Sequence, residues 1–141
     1  MPLKLSLKPG ERFVVNGAVL QNGDRRAVLL LQNKASILRE KDIIQPEEAN
    51  TPTKRIYFPI MMMYLDPAEA NNYYDEFVLR LSEFMGVTNS TDILKECVSL
   101  SREVMAADYY KALTRCRKLL TYEQGLLGNV HTGVPDSGSE D

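Results

Sequence analysis

The chain is poor in the residues from which most catalytic and metal sites are built. In 141 residues it has one histidine, His131, and two cysteines, Cys97 and Cys116, set far apart within helical patterns. A structural zinc ion takes four closely spaced nitrogen or sulfur ligands, so no such site can be assembled here, and the thiols read as buried and free. A single histidine near the C-terminus also leaves no Ser-His-Asp or Cys-His relay. The glycines are scattered through turns with no phosphate-binding loop among them, and no pair of carboxylates stands apart from ordinary surface acids such as Glu47 and Glu48. These absences favour a binding protein without a cofactor over an enzyme. No apolar run approaches the roughly 20 residues of a membrane helix, and Met1-Pro2-Leu3-Lys4 does not lead into a signal peptide's apolar stretch. The expectation is a soluble, cytoplasmic protein that does not engage a membrane.

What the chain does have is an uneven charge. From Met1 to Gln45, eight Lys and Arg residues stand against four acids, a balance of +4, whereas the remainder carries nine basic and fifteen acidic residues. The overall charge of −2 thus conceals a basic N-terminal end suited to a polyanion. The apolar content, 44%, suffices for a core, but the first 45 residues alone would bury too little, so they should pack on the rest of the chain or on a second copy.

The hydrophobic period changes at the same boundary. Leu3, Leu5 and Leu7 alternate with polar residues as in a strand with one buried face. Arg12–Val15 and Ala18–Gln21 flank Asn16-Gly17, a dipeptide that accepts positive φ at both centres of a type I′ turn. After the turn Asn22-Gly23-Asp24, the run Arg25–Gln32 reads as a central strand buried on both faces, and Ser36–Glu40 as a fifth strand. Residues 1–45 therefore form an antiparallel β module.

Polar residues and two prolines between Gln45 and Pro52 end that module. Thr51 and Pro52 suit the N-cap and first position of a helix to about Leu65, kinked at Pro59, with an extended Arg55–Phe58 segment as the alternative. Asp66-Pro67-Ala68-Glu69 has the form of a capping box for a helix that Gly86 would close in the left-handed conformation. A third helical pattern starts near Ser90 and Thr91, and its continuation beyond Ala107-Asp108 carries Tyr109, Ala112, Leu113, Cys116, Leu119 and Leu120. The fold class is α+β: a small antiparallel sheet of about five strands, then a helical module over 52–124. An acidic tail over 129–141 lacks the apolar residues to pack and is expected to be disordered.

Three sets of residues invite binding. Among the basic residues, Lys4 and Lys8 lie on the polar side of strand one, Arg25 and Arg26 begin strand four, and Lys34, Arg39 and Lys41 flank or occupy strand five. If strands one and five adjoin, Lys8 and Arg39 share one surface where ammonium and guanidinium groups could hold phosphates, and Arg39 could read a guanine edge. The same charges also suit a solvated sheet face. Lys111, Arg115 and Lys118 make a basic stripe continued by Tyr122, equally consistent with a solvated helix face. Met61-Met62-Met63-Tyr64 suits core packing, or a pliable partner groove.

The string Pro2-Leu3-Lys4-Leu5-Ser6-Leu7-Lys8-Pro9-Gly10-Glu11-Arg12, with Val15-Asn16-Gly17-Ala18, Ala35-Ser36-Ile37-Leu38-Arg39-Glu40, Arg55-Ile56-Tyr57-Phe58 and Met63-Tyr64-Leu65-Asp66-Pro67, resembles the FlbT family of bacterial flagellar regulators over nearly the whole chain. The resemblance implies a post-transcriptional regulator that binds the 5′ leader of flagellin messenger RNA, repressing translation and promoting decay. The β segment is also similar to the CsrA family of RNA-binding translational regulators. On that comparison Gly10-Glu11 and Arg39-Glu40 match family signatures, which implies an RNA-contacting role for Arg39, support from Lys8 and a contact at Leu5; Lys4, Lys34 and Lys41 complete the candidate set. Leu7, which replaces an RNA-binding arginine, and Pro9 depart from that pattern and weigh against GGA-type sequence specificity while leaving backbone binding in place. The expected partners are the flagellin leader RNA, a flagellar protein and a second copy of the chain. The alternative reading is a protein-interaction adaptor or flagellin-associated assembly factor whose helices act, with RNA affected only indirectly.

Overall fold

The structure, a computed structural model, describes residues 3–132, with side chains described as far as Leu126. Five strands precede four helices, the expected α+β arrangement. The strands β1 (Leu3–Leu7), β2 (Arg12–Val15), β3 (Ala18–Gln21), β4 (Ala27–Leu31) and β5 (Ile37–Arg39) form two small antiparallel sheets. In one, β1 pairs with β4; in the other, β2 lies between β3 and β5. The β2–β3 turn places Asn16 at φ 49° and Gly17 at φ 84°, the two positive values a type I′ turn requires. Asn22 fixes where the chain leaves the second sheet for the first: its amide nitrogen donates to the carbonyls of Lys8 and Arg25, each at 2.8 Å.

The run expected to be a central strand is instead an edge. With β1 as its one hydrogen-bonded neighbour, β4 leaves Val28, Leu29 and Leu30 at 57, 43 and 59% exposure. An unbroken apolar run signals burial without specifying the partner that buries it. Here β5, which could have flanked β4, joins β2.

Helix α1 (Pro52–Leu65) is the centre of the core, burying Ile56, Tyr57, Ile60, Met61, Met63 and Tyr64. The methionine run is therefore mostly core, as the apolar pattern suggested. Thr51 caps this helix by accepting from the Lys54 N–H at 3.2 Å. Glu123 of α4 (Tyr109–Thr132) adds a buried carboxylate at the same end, accepting from the Thr53 N–H at 3.0 Å and from the Thr51 hydroxyl. The helix continues through Pro59, so the extended alternative over 55–58 does not form.

The other helix ends differ from expectation. Pro67–Glu69 form a 3-10 turn in which Asp66 makes no side-chain cap bond, and α2 (Asn71–Val87) begins beyond it. The reciprocal capping box forms instead at Gln45 and Glu48. Gly86 lies within α2 and is not left-handed; the left-handed closure falls on Ala107, φ 59°, after α3 (Thr91–Met105). There the N–H groups of Ala107 and Asp108 donate to the carbonyls of Val104 and Glu103, both at 2.9 Å, which breaks the chain between α3 and α4. Because α4 runs to Thr132, the first residues of the expected tail are helical; 133–141 lie outside the described residues. Val14 of β2 and Leu38 of β5 join residues of all four helices in one hydrophobic cluster. Cys97 and Cys116 are buried and free.

Candidate nucleic-acid interface

Strands β1 and β5 are not hydrogen-bonded neighbours, since each belongs to its own sheet. Their residues nonetheless meet across two adjoining clefts. The larger, about 980 Å³, is lined by Leu3 and Leu5 of β1, the segment Lys34–Arg39, Lys41 and Asp42, and from the helices Tyr64, Tyr110 and Arg117. The smaller, about 470 Å³, is lined by Lys8, Pro9, Gly10, Glu11, Arg39, Glu40 and Lys41. Arg39 and Lys41 border both. Five of the six expected RNA-binding residues, Leu5, Lys8, Lys34, Arg39 and Lys41, thus share one trough. Lys4 does not; it stands opposite Leu30 in the β1–β4 ladder and lines neither cleft.

Arg39 is less free than an exposed strand residue would be. Its Nε and Nη2 donate to the two carboxylate oxygens of Glu11, each at 3.0 Å, and Nη2 also donates to the Ser6 carbonyl of β1. This fork joins β5 to the β1–β2 loop and to β1 itself, which is what brings the two strands together without a ladder. Glu11 also accepts the Lys8 backbone N–H at 2.9 Å. That backbone bond first, then Arg39, holds the Glu11 carboxyl below the usual glutamate range. The Arg39 side chain keeps 31% of its exposure, and Nη1 makes no hydrogen bond among the described residues.

Two residues at this trough were not singled out by their sequence pattern. Tyr110, 53% exposed, has its ring centroid 5.7 Å from that of Tyr64, and the Arg117 guanidinium lies 5.9 Å from the Tyr110 ring centroid. Arg117 also approaches Asp42 at 3.7 Å, an ion pair longer than a hydrogen bond. The sequence stripe drew attention to Arg115 instead. That side chain turns to α3, bonding Glu103 at 2.9 Å through Nε and Glu96 at 2.8 Å through Nη1, so the stripe is not a uniformly solvated face. A pattern of spacing along one helix distinguishes its faces but not which of them meets the sheet; Arg117 lies two positions on and faces the trough. Tyr64 fastens the floor: its hydroxyl accepts from the Ile37 N–H at 2.7 Å and donates to the Ile37 carbonyl at 2.9 Å. Burial raises its phenol pKa.

Among the described residues no cluster of three or more histidine, cysteine, aspartate or glutamate side chains could hold a metal ion, and no helix is long and apolar enough to cross a membrane. What the trough offers is cations and an accessible ring, a combination that holds a phosphate backbone and stacks a base.

Comparison with known proteins bears on this chain as a whole. The family model described as flagellar protein FlbT matches residues 3–127. A flagellum biosynthesis repressor protein FlbT of Caulobacter vibrioides is 61% identical over 138 residues, covering 98% of each chain. A probable flagellum biosynthesis repressor protein FlbT of Caulobacter sp. strain K31 is 65% identical over 130 residues, 92% of this chain and 99% of that protein. One from Bradyrhizobium diazoefficiens is 36% identical over 141 residues, 99% of this chain and 94% of its own. No solved structure matches. With the match running from β1 through most of α4, the chain belongs to the FlbT family of flagellar proteins.

Proposed function

We propose that this protein restrains flagellum biosynthesis by binding the 5′ leader of flagellin messenger RNA, repressing its translation and promoting its decay. Repression follows the names of its relatives. The RNA target follows the trough. The observation that carries it is the convergence of Lys8, Lys34, Arg39 and Lys41 with the exposed Tyr110 along two adjoining clefts. Lysines hold phosphate oxygens as point charges, the remaining donor edge of Arg39 reads a base or phosphate, and Tyr110 supplies a face on which an unstacked base can lie. A flagellar protein partner remains part of this reading. For the adaptor alternative, Met63 is buried in the core, while Met61 and Met62 line a separate cleft of about 470 Å³ with Ile43, Ile44, Phe58 and Leu65.

The test is leader binding by purified full chain across a salt series, beside a scrambled RNA. Lys34→Ala and Lys41→Ala should each lower the magnitude of the log-affinity versus log-salt slope by about 0.7 on a single strand. Tyr110→Ala should cost about 1–3 kcal/mol of binding with the slope unchanged. Folded variants that bind the leader as the unmodified chain does would return the assignment to the adaptor reading.

A further inference from the structure

The β1–β4 ribbon is incomplete as it stands in one chain. A two-stranded ribbon is marginal in water, and stable sheets take three strands or more. This one has five residues in each strand, and its outer strand is Ala-Val-Leu-Leu-Leu. Residues directly opposite in the ladder share a face, so Leu29 lies with Leu5, whereas Val28 and Leu30 lie on the other face with Ser6 and Lys4. Apolar side chains therefore emerge on both faces of β4, beside a backbone edge that no described strand occupies. An apolar strand with an unoccupied edge invites another strand.

We propose that the occupant is a second copy of this chain, with β4 pairing antiparallel to β4 of its partner about a two-fold axis through Leu29. The sequence is self-complementary in that register. Leu29 meets its own counterpart, Val28 meets Leu30, and Ala27 meets Leu31. Immediately beyond the strand Arg26 comes opposite the neutral Gln32, and the chain bends away at Asp24-Arg25 and at Asn33. No like charges oppose one another along the paired strands. The result is a four-stranded sheet, β1-β4-β4-β1, in which the exposed Val28 and Leu30 of both copies form one apolar cluster at the axis. The pairing is isologous, so it closes at two copies. Of the other edge strands, β1 and β5 face each other through the Arg39 bond to the Ser6 carbonyl, and β3 has two large apolar residues, Val19 and Leu20, and already belongs to a three-stranded sheet.

The experiment uses the full chain and does not depend on RNA. Sedimentation velocity across concentration should show a species of twice the chain mass, and Leu29→Cys should give a disulfide-linked dimer on mild oxidation. The native Cys97 and Cys116, both 0% exposed, should not, nor should Val19→Cys on β3. Val28→Glu should weaken the dimer at least tenfold, and Val28→Glu combined with Leu30→Lys should restore it, a rescue that general stickiness cannot imitate. A chain that stays monomeric at all concentrations overturns the proposal. So does a dimer in which Leu29→Cys fails to cross-link, or one that is indifferent to Val28→Glu.

Discussion

At Arg39 one guanidinium is asked to do two things. It is a candidate RNA contact, and it ties β5 to Glu11 and Ser6. Removing it leaves the Glu11 carboxylate without its fork and the Ser6 carbonyl without this donor, so Arg39→Ala should destabilise the fold as well as weaken RNA binding. Glu11→Gln separates the two roles, because it frees the guanidinium while keeping it present. If Arg39 contacts RNA, the folded Glu11→Gln protein should bind the leader at least as well as the unmodified chain; binding as weak as that of Arg39→Ala would assign Arg39 a structural role alone. The pH dependence has a definite sign. The folded pKa of Glu11 lies below its ordinary 4.5, so its contribution to stability is present above that value and is lost as pH falls through the lower, folded one. A carboxyl-carbon NMR titration should find Glu11 ionising below the exposed glutamates, and returning toward them in Arg39→Ala.

At the scale of elements, most of the fold could be read from the chain because the signals were local. Alternation at Leu3, Leu5 and Leu7 sufficed for β1, Asn16-Gly17 for the hairpin, and Thr51-Pro52 for the start of α1. What could not be read was which strand meets which. β4 was legible as a strand and not as an edge, and the trough could be anticipated from Lys8 and Arg39 but not from Tyr110 or Arg117, which reach it from a helix about 70 residues away in sequence. Helix ends were the other gap. Gly86 looked like a stop, yet α2 continues through it, whereas α3 is closed by Ala107 in a conformation that favours glycine. A left-handed alanine costs about 1–2 kcal/mol, and a glycine there returns about 0.4–1 kcal/mol of that through the greater freedom of the unfolded chain. Ala107→Gly should therefore stabilise the protein by about 0.5–1 kcal/mol, read as a higher urea midpoint with an unchanged slope. A lower midpoint would show that the left-handed turn carries no such strain.

For the whole molecule, the sharp change from basic strands to acidic helices suggests two modules, yet the core does not divide there. Val14 and Leu38 belong to the same apolar cluster as residues of α1, α2, α3 and α4, and both polar groups of the Ile37 backbone are satisfied by the Tyr64 hydroxyl of α1. The two sheets are small, and β1 and β4 make no ladder with the other three strands. Cut from the helices, residues 1–45 would expose Val14 and Leu38 and lose the hydroxyl that bonds Ile37, with little area left to offset the entropy of ordering them. We therefore expect the separate 1–45 fragment to be unfolded by circular dichroism, and the full chain to unfold in one cooperative transition. Tyrosine fluorescence, summed over seven tyrosines of which Tyr57 and Tyr64 are buried, should change at the same urea concentration as the far-ultraviolet signal of the helices. Tyr64→Phe removes two hydrogen bonds at the joint while keeping the ring; it should lower stability by about 1–3 kcal/mol and leave the transitions coincident. Two separated transitions in the unmodified chain, or a folded 1–45 fragment, would show that the strands form a domain of their own.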